Sequence, residues 1–260
     1  MSNPKASDPK TSEALPEESL LSHLLELRTR LLKMVVAIII VFLILTPFMQ
    51  PLFGILTLPL LEQLPEGQSM IATQVASPFL TPFKFTFVAA IFLTAPYWLY
   101  QLWAFVAPGL YKTEKRFATP LLVSSIVLFY LGALFAYFVV FPIVFGFFNK
   151  VAPQGVAVMT DITHYYDFVL ALFFAFGVAF EIPIATMLLV KTGLVSVEKL
   201  KQYRPYIFLS CFVVGMMITP PDVISQTLLA VPMYLLYEGG LFFSQRFVQV
   251  DEKPQELQKN

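Results

Sequence analysis

A few polar side chains stand out because of where they fall against apolar sequence. Glu26 lies in His23-Leu24-Leu25-Glu26-Leu27-Arg28-Thr29-Arg30, four residues before Arg30, the favourable order for an ion pair across one helical turn. Glu114, in Tyr111-Lys112-Thr113-Glu114-Lys115-Arg116, precedes a long apolar run, where an acid also suits a helix N-terminus or a solvated mixed-charge loop. Glu181, in Phe180-Glu181-Ile182-Pro183, falls well inside an apolar run. An ionisable group there is costly; it either serves a function or is hydrogen-bonded to a neighbouring helix beside backbone freed by Pro183. Asp222 follows Pro220-Pro221 and suits a helix N-cap, and Gln226, one turn on, shares its face, so the two would form a polar patch.

Other chemistry is not supported. His23 and His164 are far apart in sequence, and the single cysteine, Cys211, excludes an internal disulfide or a cysteine metal cluster. No nucleophile–base pair, phosphate loop or metal-ligand spacing occurs, so neither enzymatic activity nor a cofactor or metal is expected. Lys plus Arg and Asp plus Glu both number 17, which gives no reason to expect nucleic acid as a partner.

The elements that must position these residues follow from composition. With 57% hydrophobic residues, 13% charged residues and a mean hydropathy of +0.73, the chain reads as an all-α integral membrane protein. Six apolar stretches fall at about 32–54, 84–107, 117–148, 166–190, 206–219 and 223–243. Charges bracket the fifth and sixth closely, by Arg204, Asp222 and Glu238, which predicts short spans and a locally thinned bilayer. Prolines at 96, 120, 142, 183, 205 and 232 predict kinked helices and a curved, cupped bundle. Residues 1–19 read as a disordered tail, 20–245 as one six-helix membrane domain, and 246–260 as a C-terminal tail. The long connection 55–83 contains apolar residues and predicts short helices lying on the membrane surface. Trp103 and Tyr111 read as interfacial anchors. All of the 17 basic residues except Lys84 and Lys150 fall at the termini or in the 2–3 and 4–5 connections, which places both termini in the cytoplasm.

Taken together, the motifs resemble one family. They are His23-Leu-Leu-Glu26-Leu-Arg28-x-Arg30, Ala76-Ser77-Pro78-Phe79, Trp103-Ala-Phe105-x-Ala-Pro108-x-Leu-Tyr111-x-x-Glu114, Phe176-Gly-x-x-Phe180-Glu181-x-Pro183 and Thr219-Pro-Pro-Asp222-x-x-Ser225-Gln226. In this order they resemble TatC, the multispanning core subunit of the twin-arginine, Sec-independent protein translocase of the bacterial cytoplasmic (inner) membrane. The resemblance covers roughly residues 20 to 245. It implies a receptor for signal peptides with consecutive arginines, acting with TatA and TatB to export folded proteins on the proton-motive force, with self-association into a multimeric receptor complex in the lipid bilayer. It also implies that Glu26 and Glu114 bind the arginine pair, that Arg28 orients Glu26 or touches the peptide, and that Phe105 lines the same surface. Pro59 then matches a sensitive external-loop position, and Glu181, Asp222 and Gln226 match polar positions on the concave face.

Two readings from other classes compete. A proton-coupled small-solute transporter would use Glu181 and Asp222 as a relay and would work without partner chains. A passive scaffold would assemble other membrane helices without binding a signal peptide. Neither requires the acids at the cytoplasmic surface.

Overall fold

The computed structural model describes residues 16–54, 70–106, 115–151, 159–219 and 223–256. The elements are α1 (Pro16–Leu45), a 3-10 turn (Thr46–Phe48) with residues 49–54 helical beyond it, α2 (Ser77–Leu93), α3 (Ala95–Val106) and α4 (Lys115–Phe135). A π-helical turn (Ala136–Val140) leads into α5 (Phe141–Val151), followed by α6 (Ile162–Ala179), α7 (Ile182–Lys191), α8 (Val197–Gln202), α9 (Arg204–Ile218) and α10 (Val223–Glu256). Extended pairing among the described residues is confined to an isolated bridge between Ile71 and Asp161.

Among the described residues, four continuous units are long and apolar enough to cross a bilayer: Ser22–Gly54, Thr119–Phe148, Ile162–Lys191 and Val223–Arg246. α2 and α3 together make a fifth, bent by 55° between them, and α9 is a shorter apolar helix. In chain order these correspond to the six apolar stretches of the sequence. The 15 residues of α9 reach about 22 Å, short of a hydrocarbon core of ~30 Å. α10 is long, but Glu238 interrupts its apolar run one residue after Tyr237.

Several boundaries differ from the sequence expectation. α1 starts at Pro16, inside the stretch read as a tail, and proline suits a first helical turn. The second unit begins at Ser77 instead of near 84, again with a proline, Pro78, in its first turn. Lys84, at the expected start, lies within α2 and pairs with Asp167 of α6 at 3.0 Å. α10 runs on to Glu256, past the expected start of a tail at 246. Of the connection expected at 55–83, residues 77–83 are the first turns of α2. Residues 55–69, with most of the expected surface helices, and the disordered stretch expected before residue 16 lie outside the described residues.

The prolines act through the carbonyls they leave unpaired. Pro96 has no N–H to give Phe92, and the helix breaks there between α2 and α3. The freed acceptor is taken by a side chain instead: Tyr130 donates to Phe92 O at 2.8 Å, and at the same break Trp98 Nε1 donates to Ile91 O at 3.0 Å. Pro142 stands one residue beyond the π-helical turn, a widened register that relieves the clash of its ring with the carbonyl of Phe138. Pro183 stands just after the two-residue turn, Phe180 and Glu181, that separates α6 from α7.

Packing joins α10 to α7 and α9, α4 to α6, and α1 to α2 and α3. One core gathers Val140, Val144, Leu172, Phe176 and Leu229; a second gathers Leu99, Trp103, Phe129, Ile184 and Leu188. Leucine, isoleucine and valine side chains of α1 such as Leu31, Ile40 and Leu43 point outward, as expected of a lipid-facing helix.

Candidate functional site

At the N-terminal part of α1, Arg30 holds Glu26. Its Nε and Nη2 both donate to Glu26 Oε1, at 2.9 and 2.6 Å, and its Nη1 donates to Gln101 Oε1 of α3 at 2.9 Å. The planar guanidinium therefore bridges two helices, as a lysine ammonium would not. Because Arg30 bonds to Oε1, Glu26 keeps a second oxygen available, and its side chain is 44% exposed. Thr29, Arg30 and Lys33 border an open depression of about 330 Å³ with Leu25 and Glu26. His23 stacks on Phe105, with centroids 4.3 Å apart and planes 12° from parallel, so the end of α3 is joined to the same surface. Glu26 and Phe105, expected on one surface, are thus carried by two helices in direct contact. Arg28 is exposed on α1; the side chain that orients Glu26 is Arg30.

A second polar site lies inside the bundle. Glu181 ends the turn between α6 and α7 without capping α7 by its side chain. Its Oε2 instead accepts a hydrogen bond from Ser125 of α4, and Ser125 Oγ accepts one from Trp103 Nε1 at 2.8 Å. Trp103 is 8% exposed, which corrects its reading as an interfacial anchor: its N–H is satisfied inside the protein by a serine on the next helix. Glu181 Oε1 is buried with no hydrogen-bond partner among the described residues. Phe180 and Pro183, on either side of Glu181 in sequence, line an apolar cavity of about 390 Å³ together with Leu128, Phe135, Pro232 and Leu236.

Gln226 is half-buried, and its Nε2 donates to Phe212 O at 2.8 Å, fastening α10 to α9. That bond gives it a structural task whatever else its face does. Asp222, its expected partner in a polar patch, lies outside the described residues, as do Glu114 and Pro59. Among the described residues, no group of three or more His, Cys, Asp or Glu could hold a metal ion.

Three residues of these sites were not singled out by their sequence: Gln101, Ser125 and, as a buried donor, Trp103. The available signal was a polar side chain within an apolar stretch, which for Gln101 and for the pair Ser124-Ser125 is visible in the sequence.

Comparisons with known proteins identify the family and the fold. Residues 22–232 match the family model described as Sec-independent protein translocase protein (TatC). The Sec-independent protein translocase protein TatC of Azotobacter chroococcum mcd 1 is 57% identical over 244 residues, covering 94% of this chain and 94% of that protein. The TatC of Escherichia coli strain K12 is 56% identical over 231 residues, covering 89% of this chain and 90% of that protein. A crystal structure described as the twin arginine translocase receptor TatC superposes with a TM-score of 0.79 at 40% identity, covering 86% of this chain and 98% of that one. The chain is a multispanning helical membrane protein, and it belongs to the TatC family of Sec-independent protein translocase proteins.

Proposed function

We infer that this chain is the receptor subunit of a twin-arginine translocase in the bacterial cytoplasmic membrane, with both termini cytoplasmic. It binds Arg-Arg signal peptides at Glu26, with Arg28, Phe105 and Glu114 completing the surface. With TatA and TatB, and in a multimeric receptor complex, it exports folded proteins at the expense of the proton-motive force. Glu181, Asp222, Gln226 and Pro59 serve the later, intramembrane and external steps. It carries out no covalent chemistry and needs no cofactor.

The observation that carries this reading is the state of Glu26. Its carboxylate is pre-oriented by Arg30 through one oxygen, is partly exposed through the rest, and lies beside an aromatic stack at the end of α3. The remaining oxygen of a carboxylate fixed in this way can accept from an incoming guanidinium, whose planar pair of N–H groups an ammonium cannot reproduce. The distribution of basic residues supports the orientation, since it places this surface on the cytoplasmic side.

The test is photocrosslinking from positions beside Glu26 and Glu114 to a signal peptide carrying Arg-Arg or Lys-Lys. Crosslinks with Arg-Arg that vanish with Lys-Lys, or with Glu114→Ala, are expected. Equal crosslinking of both peptides would remove the acids from recognition and return the passive-scaffold and transporter readings.

A further inference from the structure

The hydroxyl of Ser125 stands between two groups of unequal hydrogen-bonding character. The indole N–H of Trp103 can only donate, and it lies 2.8 Å from Ser125 Oγ, so the hydroxyl oxygen must accept there. Ser125 then has a single proton to give, and it goes to Glu181 Oε2. The chain of hydrogen bonds therefore runs one way, from α3 through α4 to the turn before α7. It ends asymmetrically: Oε2 is engaged as an acceptor, while Oε1 is buried with no partner among the described residues.

We propose that Trp103 and Ser125 are positioning residues for Glu181: they hold Oε2 as an acceptor and make Oε1 the atom that carries and exchanges the carboxyl's proton. When that proton leaves, it passes to a base arriving at Oε1, either water or a polar side chain. The charge left behind falls on a carboxylate already solvated at Oε2 by the Ser125 hydroxyl. The inference rests on the reading of Glu181 as a working polar group, and it adds the two residues that decide from which oxygen the group works. Trp103 shares α3 with Gln101, which bonds to Arg30, so the same helix carries a residue one hydrogen bond removed from each acid.

Infrared spectroscopy of the full chain in lipid nanodiscs tests this. The difference between the wild type and Glu181→Gln identifies the Glu181 carboxyl absorption, and transfer to deuterium oxide identifies its exchangeable form. Ser125→Ala and Trp103→Phe, the second of which keeps a ring but deletes the N–H, should move that absorption in the same direction. Ser125→Thr, which keeps the hydroxyl, should restore it. Export in cells should fall roughly three- to tenfold in the first two variants and recover in the third. An unmoved absorption in both Ser125→Ala and Trp103→Phe, or a moved one with unchanged export, would overturn the proposal. Normal export by Glu181→Gln would instead overturn the reading of Glu181 as a working group, while the absorption still decides whether Trp103 and Ser125 hold it.

Discussion

Gly132 of α4 lies against the backbone of Phe176 in α6: a Cβ at Gly132 would sit 2.9 Å from the Phe176 carbonyl carbon and 3.0 Å from Gly177 Cα. The contact is reciprocal, because a Cβ at Gly177 would meet the ring of Phe129 on α4 at 2.8 Å. Within a bilayer, helices gain little by burying apolar surface and associate through close backbone packing of this kind. The crossing also sets the distance between Ser125, on α4, and Glu181, just beyond α6.

Gly132→Ala should therefore destabilise the protein by roughly 1–3 kcal/mol, because backbone cannot move aside as a side chain can. Gly177→Ala should cost less, since the added Cβ meets the Phe129 ring, a side chain, and not backbone. Thermal unfolding in detergent ranks the two. Equal melting temperatures for Gly132→Ala and the wild type would mean the helices are not held at this crossing.

Arg30 offers a sharper test of how Glu26 is held. Arg30→Lys keeps the charge but cannot bond Glu26 and Gln101 together through a planar fork. Affinity for an Arg-Arg peptide, followed by fluorescence anisotropy, should weaken about three- to tenfold, the scale of one lost hydrogen bond. Gln101→Leu should weaken it less, because Arg30 retains its two bonds to Glu26. Unchanged affinity in Arg30→Lys would mean that pre-orientation of Glu26 contributes nothing to recognition.

At the other end of the bundle, Asp161 ties the segment 70–76 to the start of α6. It accepts from the Thr73 hydroxyl at 2.6 Å and the Thr73 amide at 3.0 Å, and it caps α6 through the amides of Thr163 and His164. These bonds, the Thr73 hydroxyl first, hold its carboxyl down at about 2, below the ordinary 3.8. A carboxylate depressed in the folded state contributes its stabilisation in full above its ordinary value and loses it as pH falls from about 3.8 toward about 2. Amide hydrogen exchange over residues 70–76, corrected for its intrinsic pH dependence, should then show constant protection from about pH 5 to 8. Asp161→Asn should expose the Ile71 and Thr73 amides faster throughout that range. Protection identical in Asp161→Asn and the wild type would show that the segment is held by the Ile71–Thr160 and Ile162–Ile71 backbone bonds alone.

How much of this was legible in the sequence depends on whether a signal was local. The order of apolar units, the Glu26–Arg30 turn and the awkward position of Glu181 follow from spacing within one stretch. The partner of Glu181 does not: Ser125 is 56 residues away, and the adjacent hydroxyls of Ser124 and Ser125 in an apolar helix have no periodicity to reveal what either faces. Trp103 was misleading for a related reason, since tryptophan near the end of a span is common at interfaces and only the fold shows its N–H turned inward. Pro96 announced a kink, but not that Tyr130 would take the carbonyl of Phe92 that it left free. Arg204 and Glu238 read as boundaries of two apolar runs because pairing across helices is invisible in a linear chain.

That pair joins the start of α9 to the middle of α10. Arg204 Nη2 donates to Glu238 Oε2 at 2.6 Å, and Tyr234 donates to Oε1 at 2.7 Å, so both carboxylate oxygens are engaged. Next to it, Tyr237 donates to Leu200 O at 2.6 Å and holds α8 in place. α9 is too short to be fixed by spanning the bilayer, so its position depends on such fastenings at its two ends, this pair at one and Gln226 to Phe212 O nearer the other. Side-chain exposures of 43% and 29% put the pair between a surface bridge and a buried one. A double-mutant cycle of Arg204→Ala and Glu238→Ala should give a coupling on the order of 1 kcal/mol, with the double variant losing less than the two single variants combined. Glu238→Ala should be the more damaging single change, because it strands a guanidinium whose Nε is already buried without a partner among the described residues. Strict additivity in thermal unfolding would mean that α9 is placed by its apolar contacts with α10 and that the ion pair merely accompanies them.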